Sequence, residues 1–154
     1  YFNKYKNVWT HGDYILINDN GGVIIYGRSD STLNPGGVRI GTSEIYKVVE
    51  KINGIIDCVV IGKTINGDEQ IILFIKMNID LNDNIKKEIK DKLRKKCSPR
   101  HVPYKILQVN DIPYTLNGKK VEVAIKKIIN GEEISNKESI INPESLIFFK
   151  KLSI

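Results

Sequence analysis

The sequence predicts an α+β fold: a small three-stranded sheet flanked by helices, with a β-hairpin in front of it. Three observations carry this prediction. Apolar residues recur at helical spacing in separate stretches. Short apolar runs bounded by Asn, Gly and Asp lie between them. The order after Asp30 is helix, strand, strand, helix, strand, helix.

Residues 14–18 and 23–26 are the arms of the hairpin. They are joined by Asp19-Asn20-Gly21-Gly22, where the Asn and the glycines supply positive φ. Residues 28–39 read as a loop, or as two very short strands around the Asn34-Pro35-Gly36-Gly37 turn. The first helix is capped by Thr42, carries Glu44 in its first turn, and lines up Ile45, Val48, Val49 and Ile52 before Asn53-Gly54 stops it. Residues 58–61 form a short buried strand, Asn66-Gly67-Asp68 a turn, and residues 70–77 a longer strand. The second helix starts near Asn82 or Asp83 and buries Ile85, Ile89 and Leu93. Pro99 and Pro103 confine it and force an extended passage into a third strand over residues 104–109. Residues 111–118 are a loop and residues 121–130 the last helix, ended by Gly131. The polar tail closes on Leu146, Ile147, Phe148 and Phe149, which are expected to dock as a short helix. A boundary at Asp30 separates residues 1–30 from a domain of residues 31–154.

With 41% hydrophobic and 27% charged residues, the 154-residue chain can build an ordinary soluble core. Its net charge of +6 is concentrated in residues 86–96 and 119–127, where basic residues alternate with apolar ones at helical spacing. These stretches contain no aromatics, so solvated helix faces explain the charge better than a basic module for RNA or acidic proteins, and no nucleic-acid partner is expected. Cys58 and Cys97 stand far apart without ligand spacing, and neither His11 nor His101 pairs with them. Two reduced structural thiols in a cytoplasmic protein are expected, and no metal site. No apolar run reaches ~18 residues, and Tyr1-Phe2-Asn3-Lys4 leads into no apolar stretch, so neither a membrane span nor a signal peptide is expected. The chain does not open on Met, which suggests a piece of a longer protein.

The richest chemistry lies between Gly27 and Tyr46, with two arginines, an aspartate and adjacent glycines in one turn-rich run. Guanidinium groups grip phosphate and ribose oxygens bidentately, and glycines admit a ligand close to the backbone. Arg28 and Arg39 flank the glycine turn. Lys119 follows a turn-rich loop and precedes a helix, so its ammonium and the helix amides together attract phosphate or carboxylate. Lys120 competes for that role, decided only by which side chain faces the pocket. Asp13 can accept both hydroxyls of a ribose or serve as an ordinary turn aspartate. Arg94 and Arg100, at the end of the basic helix, meet either a phosphate or solvent. No nucleophile or carboxylate constellation lies near His11 or His101 in sequence, so a hydrolase triad is not supported.

Thr10-His11-Gly12-Asp13 resembles the ribose-binding motif of the adenylate-forming superfamily, which includes acyl-CoA synthetases, luciferases and peptide-synthetase adenylation domains. Gly27-Arg28-Ser29-Asp30 through Glu44-Ile45 resembles its hinge and mobile-loop motif, and Pro113-Tyr114-Thr115-Leu116-Asn117-Gly118-Lys119 its catalytic-lysine loop. Within the superfamily, residues 32–41, Ser98-Pro99-Arg100-His101-Val102-Pro103, residues 112–123 and Asn142-Pro143-Glu144-Ser145-Leu146 are similar to the acetoacetyl-CoA synthetase family. The resemblance implies the C-terminal mobile domain of an AMP-forming acid–thiol ligase that uses acetoacetate, ATP and CoA. Mg2+ would be held mainly by the large N-terminal domain, whose last residues would be 1–30. It implies that Asp13 and Arg28 hold the ribose, Arg39 a phosphate, and Lys119 the reacting carboxylate and α-phosphate. Asp30 would be the hinge, while Gly36, Gly37 and Arg94 would meet CoA. Two departures stand out: Lys120-Val121-Glu122 follows the lysine where many relatives carry a basic residue, and Gly36 stands where acetyl-CoA synthetases carry serine. The phosphate loop and acyl pocket of the large domain are not among these residues, so the chain alone is expected to be inactive. The competing readings are a ligase for another short acid, such as acetate or propionate, and the basic binding module.

Overall fold

The computed structural model describes residues 5–134 and 137–152, and the leader reading of Tyr1-Phe2-Asn3-Lys4 lies outside them. Two sheets are present, as the sequence predicts. β1 (Asp13–Ile17) and β2 (Val23–Arg28) form an antiparallel hairpin. Asn18 organises its turn, accepting from the amides of Asn20 and Gly22 through Oδ1. Of the four turn residues only Gly21 takes positive φ, so the side chain of Asn18 does what was expected of a left-handed Asn20.

The second sheet holds β3 (Ile55–Ile65), β4 (Asp68–Met77) and β5 (Lys105–Gln108), with β4 central, antiparallel to β3 and parallel to β5. Asn66 and Gly67, at φ +52° and +82°, make the two-residue turn between β3 and β4. Positive φ at both positions matches the twist of the strands and sets their register. β3 is eleven residues long, not the short strand of residues 58–61, because its polar ends Asp57 and Lys63 pair along β4. Pairing with a long partner overrides the local polarity that marks a strand end in sequence.

Strand alternation divides the core in two. Cys58, Val60, Ile71, Leu73 and Ile75 face α1 (Thr42–Val49) and α2 (Asp83–Lys96), which contribute Ile45, Val49, Ile89 and Leu93. Val59, Ile61, Ile72 and Phe74 face α3 (Glu122–Ile129) and α4 (Leu146–Lys150), which contribute Ile125, Ile128, Leu146 and Phe149. The tail therefore docks as a short helix, and Phe149 meets Phe74 edge-on at 5.0 Å.

One helix start and one connection differ in detail. Gly41, not Thr42, is the cap of α1, and the Glu44 carboxylate reaches back to its amide at 3.0 Å. The passage confined by Pro99 and Pro103 contains a 3-10 turn, Pro99–His101, rather than extended chain alone. Asn82 caps α2 through Oδ1, which accepts from the Ile85 amide at 3.0 Å. Asn82→Ala is expected to lower stability by about 1 kcal/mol in urea denaturation, because it strands a helix amide without its acceptor.

Candidate active site

Lys119 sits on a small hairpin. The Thr115 amide donates to the Lys119 carbonyl at 2.8 Å, and the Lys119 amide donates to Thr115 Oγ1 at 3.1 Å. Gly118, at φ +69°, closes the turn. The Lys119 side chain is exposed and makes no ion pair among the described residues. Its neighbour is used quite differently. Lys120 Nζ donates to Glu50 Oε1 at 2.6 Å, to Asp57 Oδ1 at 2.8 Å and to the Cys58 carbonyl at 2.6 Å, and lies 4.2 Å from the centre of the Tyr46 ring. Burial works against its charge, yet the hydrogen bonds it donates to Asp57 and Glu50 outweigh it and raise its proton affinity above that of an ordinary lysine.

Lys120 also serves the outer edge of β3. It satisfies the Cys58 carbonyl, while Tyr46 Oη accepts from the Val60 amide. Unpaired edge groups are thereby covered by side chains rather than by another strand. Tyr114 donates to Asp57 Oδ2 and Tyr46 to Glu122. Burial, and then these carboxylates, push both phenols upward. Glu122 stands in the first turn of α3, so this helix end carries an acid of its own beside the Lys119 loop.

The hairpin brings three other candidates together. Asp13 and Arg28 are direct partners across β1 and β2. Asp13 accepts from His11 Nδ1, and the Arg28 guanidinium donates to the His11 carbonyl and, bidentately, to Asp30 at 3.2 and 3.0 Å. These bonds from Arg28 hold the Asp30 carboxyl below its ordinary value against an opposing burial effect. Thr10 Oγ1, in the same motif, is buried without a hydrogen-bond partner among the described residues. Arg39 lies 4.3 Å above the Tyr14 ring and lines a cleft of about 410 Å³ with Tyr14, Ile15, Leu16, Thr32 and Gly41. A second cleft, of about 240 Å³, is lined by Arg28 and Asp30 together with Thr115 and Lys120, so the hinge candidate and the lysine loop share a wall.

The glycine turn forms a third group. Gly36 and Gly37 take φ +56° and +78° in the turn Pro35–Gly37. The Gly36 amide donates to Asp68 Oδ1 at 2.9 Å and the Asn34 amide to Glu69 Oε1. A Cβ on Gly36 would stand 1.7 Å from an Arg100 nitrogen, whereas one on Gly37 would meet nothing within 4 Å. Arg100 is thus the arginine at this turn, while Arg94 pairs with Asp91 at 3.4 Å one helical turn away.

Sequence reasoning missed one cluster. His101, nearly buried, contacts Ser98 Oγ at 2.8 Å through Nδ1 and Glu44 Oε2 at 3.3 Å through Nε2. Ser98 Oγ also accepts from the Arg100 amide as the cap of the Pro99–His101 turn. This is a brace between that turn and α1, built by a residue too distant in sequence for spacing to reveal.

Known proteins share this sequence and fold. Residues 44–119 match the AMP-binding enzyme C-terminal domain, from the first turn of α1 to Lys119. Over residues 44–119 the chain belongs to that family. It is 53% identical to the acetoacetyl-CoA synthetase of Caenorhabditis elegans and 45% identical to the acetoacetyl-coenzyme A synthetase of Rhizobium meliloti, over 97% and 99% of this chain. It spans 22% and 24% of those relatives' lengths. The acetoacetyl-CoA synthetase structure from Streptomyces lividans superposes with a TM-score of 0.86 at 39% identity, over 98% of this chain and 23% of that one. A benzoate CoA ligase from Burkholderia xenovorans, at 22% identity, shares the fold with a TM-score of 0.62 over 75% of this chain and 23% of its own. The α+β architecture is that of the AMP-binding C-terminal domain. For Mg2+, the described residues offer no group of three or more His, Cys, Asp or Glu that could hold a metal ion. None of the described helices is long and apolar enough to cross a membrane.

Proposed function

We propose that the chain is the C-terminal part of an AMP-forming acyl-CoA ligase converting acetoacetate, ATP and CoA into acetoacetyl-CoA, AMP and pyrophosphate. The observation that carries this reading is the likeness to acetoacetyl-CoA synthetases along essentially the whole chain. An acetoacetate oxygen attacks the α-phosphorus of ATP and pyrophosphate leaves; the CoA sulfur then attacks the acyl carbon and AMP leaves. Lys119 faces the first reaction, where its ammonium stabilises charge on the carboxylate and α-phosphate. Asp13 and Arg28 hold the ribose hydroxyls and Arg39 a phosphate. Their grouping around the hairpin supports this assignment.

Residues 1–30 are the end of the large domain, and Asp30 is the hinge about which residues 31–154 swing between half-reactions. The exposed Ile15, Leu16, Ile17, Val23, Ile24 and Ile25 on both faces of the hairpin support a partner domain there. The swing brings the Gly36-Gly37 turn to the site, where its backbone admits pantetheine and Arg94 meets a CoA phosphate. The enzyme is cytoplasmic.

A ligase for acetate or propionate is the second reading, since the acyl pocket lies in the large domain. Pyrophosphate exchange by the full-length enzyme separates the two. Acetoacetate is expected to be preferred by about 10-fold or more in kcat/KM. Equal use of acetate would overturn the substrate.

A further inference from the structure

We propose that residues 139–142 are a clamp that fixes the lysine loop, with Asn142 as its positioning residue; the catalytic part of this inference rests on the role given to Lys119 above. Tyr114, bonded to Asp57, and Lys120, tied to Glu50, Asp57 and Cys58, hold the two ends of the loop, and residues 115–118 lie between these ties. The loop's own hairpin is short, with Tyr114 paired to Lys120, and the Lys119 side chain is exposed and forms no ion pair among the described residues. The tail supplies the missing edge. Thr115 pairs with Ile140, the Leu116 amide donates to the Ser139 carbonyl at 3.0 Å, and the Ile141 amide donates to the Tyr114 carbonyl at 2.9 Å. The loop thus becomes the middle of a small three-chain ladder.

Asn142 locks that ladder to the domain. Its Nδ2 donates to Asp111 Oδ2 at 2.6 Å and to the Ile112 carbonyl at 2.9 Å, and its Oδ1 accepts from the Tyr114 amide at 3.0 Å. Both amide hydrogens and the oxygen are committed, so the side chain has one orientation. Asp111 is itself held by Lys76 at 2.7 Å. On the other side, the Asn142 carbonyl accepts from the Ser145 amide and hydroxyl, opening the turn into α4, whose Leu146 and Phe149 are buried. A rigid path therefore runs from the core, through Asn142, to the backbone that carries Lys119. An exposed lysine can be placed only by its backbone, and a displacement of about 1 Å can cost up to ~10²-fold in rate.

The test uses Asn142→Asp in the full-length protein. This change keeps the shape but turns Nδ2, which donates to both Asp111 and Ile112, into a single acceptor oxygen facing them. Hydrogen exchange at the Leu116 and Gly118 amides is expected to rise by about 10-fold, with β3 and β4 remaining protected. Acyl-adenylate formation is expected to lose about 10-fold or more in kcat with little change in KM, while thioester formation from supplied acyl-adenylate is retained. In a Lys119→Ala background the same change should cost nothing further in adenylation, as expected of a residue acting only through that lysine. Unchanged loop exchange would overturn the clamp. A looser loop with normal adenylation, or equal loss in both half-reactions with general loss of protection, would overturn the positioning role. If the loop loosens but the wild-type enzyme adenylates no acid, the role of Lys119 fails and the clamp stands.

Discussion

Lys119→Ala in the full-length enzyme is expected to slow acyl-adenylate formation by about 10²–10³-fold and to leave thioester formation from supplied adenylate nearly unchanged. The size follows from the chemistry proposed for it. Removing a preorganised donor from charge that develops in the transition state costs far more than removing a surface contact. The selectivity follows from the hinge proposed at Asp30, which would take the lysine away before the second reaction. The exposed side chain has no ion pair among the described residues, so the variant should unfold within about 0.5 kcal/mol of the parent. Separate assays of the two half-reactions, with a denaturation curve, provide the measurement. Equal loss in both half-reactions would remove Lys119 from the assigned role.

Lys120→Met is expected to do the reverse, lowering stability by about 3 kcal/mol in chemical denaturation. The variant keeps the apolar stem and removes the charge. The cost comes mainly from Asp57, whose side chain is only 17% exposed and would keep Tyr114 as its remaining side-chain partner. Glu50, at 44% exposure, is solvated and adds little. The Cys58 carbonyl would also lose its donor on the outer edge of β3. Because folding raises the proton affinity of Lys120, its stabilisation is complete below the ordinary lysine value of 10.5 and is lost only as pH rises through the higher folded value. The stability gap between parent and variant should therefore be constant through neutral pH and close only in strong alkali. A gap that closed near neutrality would overturn this account.

The adjacent lysines illustrate what could be read in advance. Turn chemistry and the helix after the loop point to a lysine at this place, but both side chains satisfy that pattern. The difference lies in Glu50, Asp57 and Cys58, brought to Lys120 by α1 and β3. Arg94 and Arg100 present the same problem. Both end the basic helix region, and only the chain path around the Pro99–His101 turn lays Arg100 against Gly36. The brace of Glu44, Ser98 and His101 had no local signal, since its carboxylate arrives from another helix. The tail was legible as a docking helix from its apolar cluster, whereas the pairing of residues 139–142 with the lysine loop was not.

The amino-acid sequence by itself determined the α+β class, the order of the elements, the stripes that fill both core faces and the motifs that mark the family. These follow from periodicity, turn residues and short contiguous runs, each written locally in the chain. Only the tertiary structure decided that Lys119 faces outward while Lys120 is tied down, that Arg100 guards the glycine turn, and that Asn142 locks the loop to the core. Those outcomes depend on contacts between residues far apart in sequence, and such contacts exist only once the sheet and its two helical layers have packed.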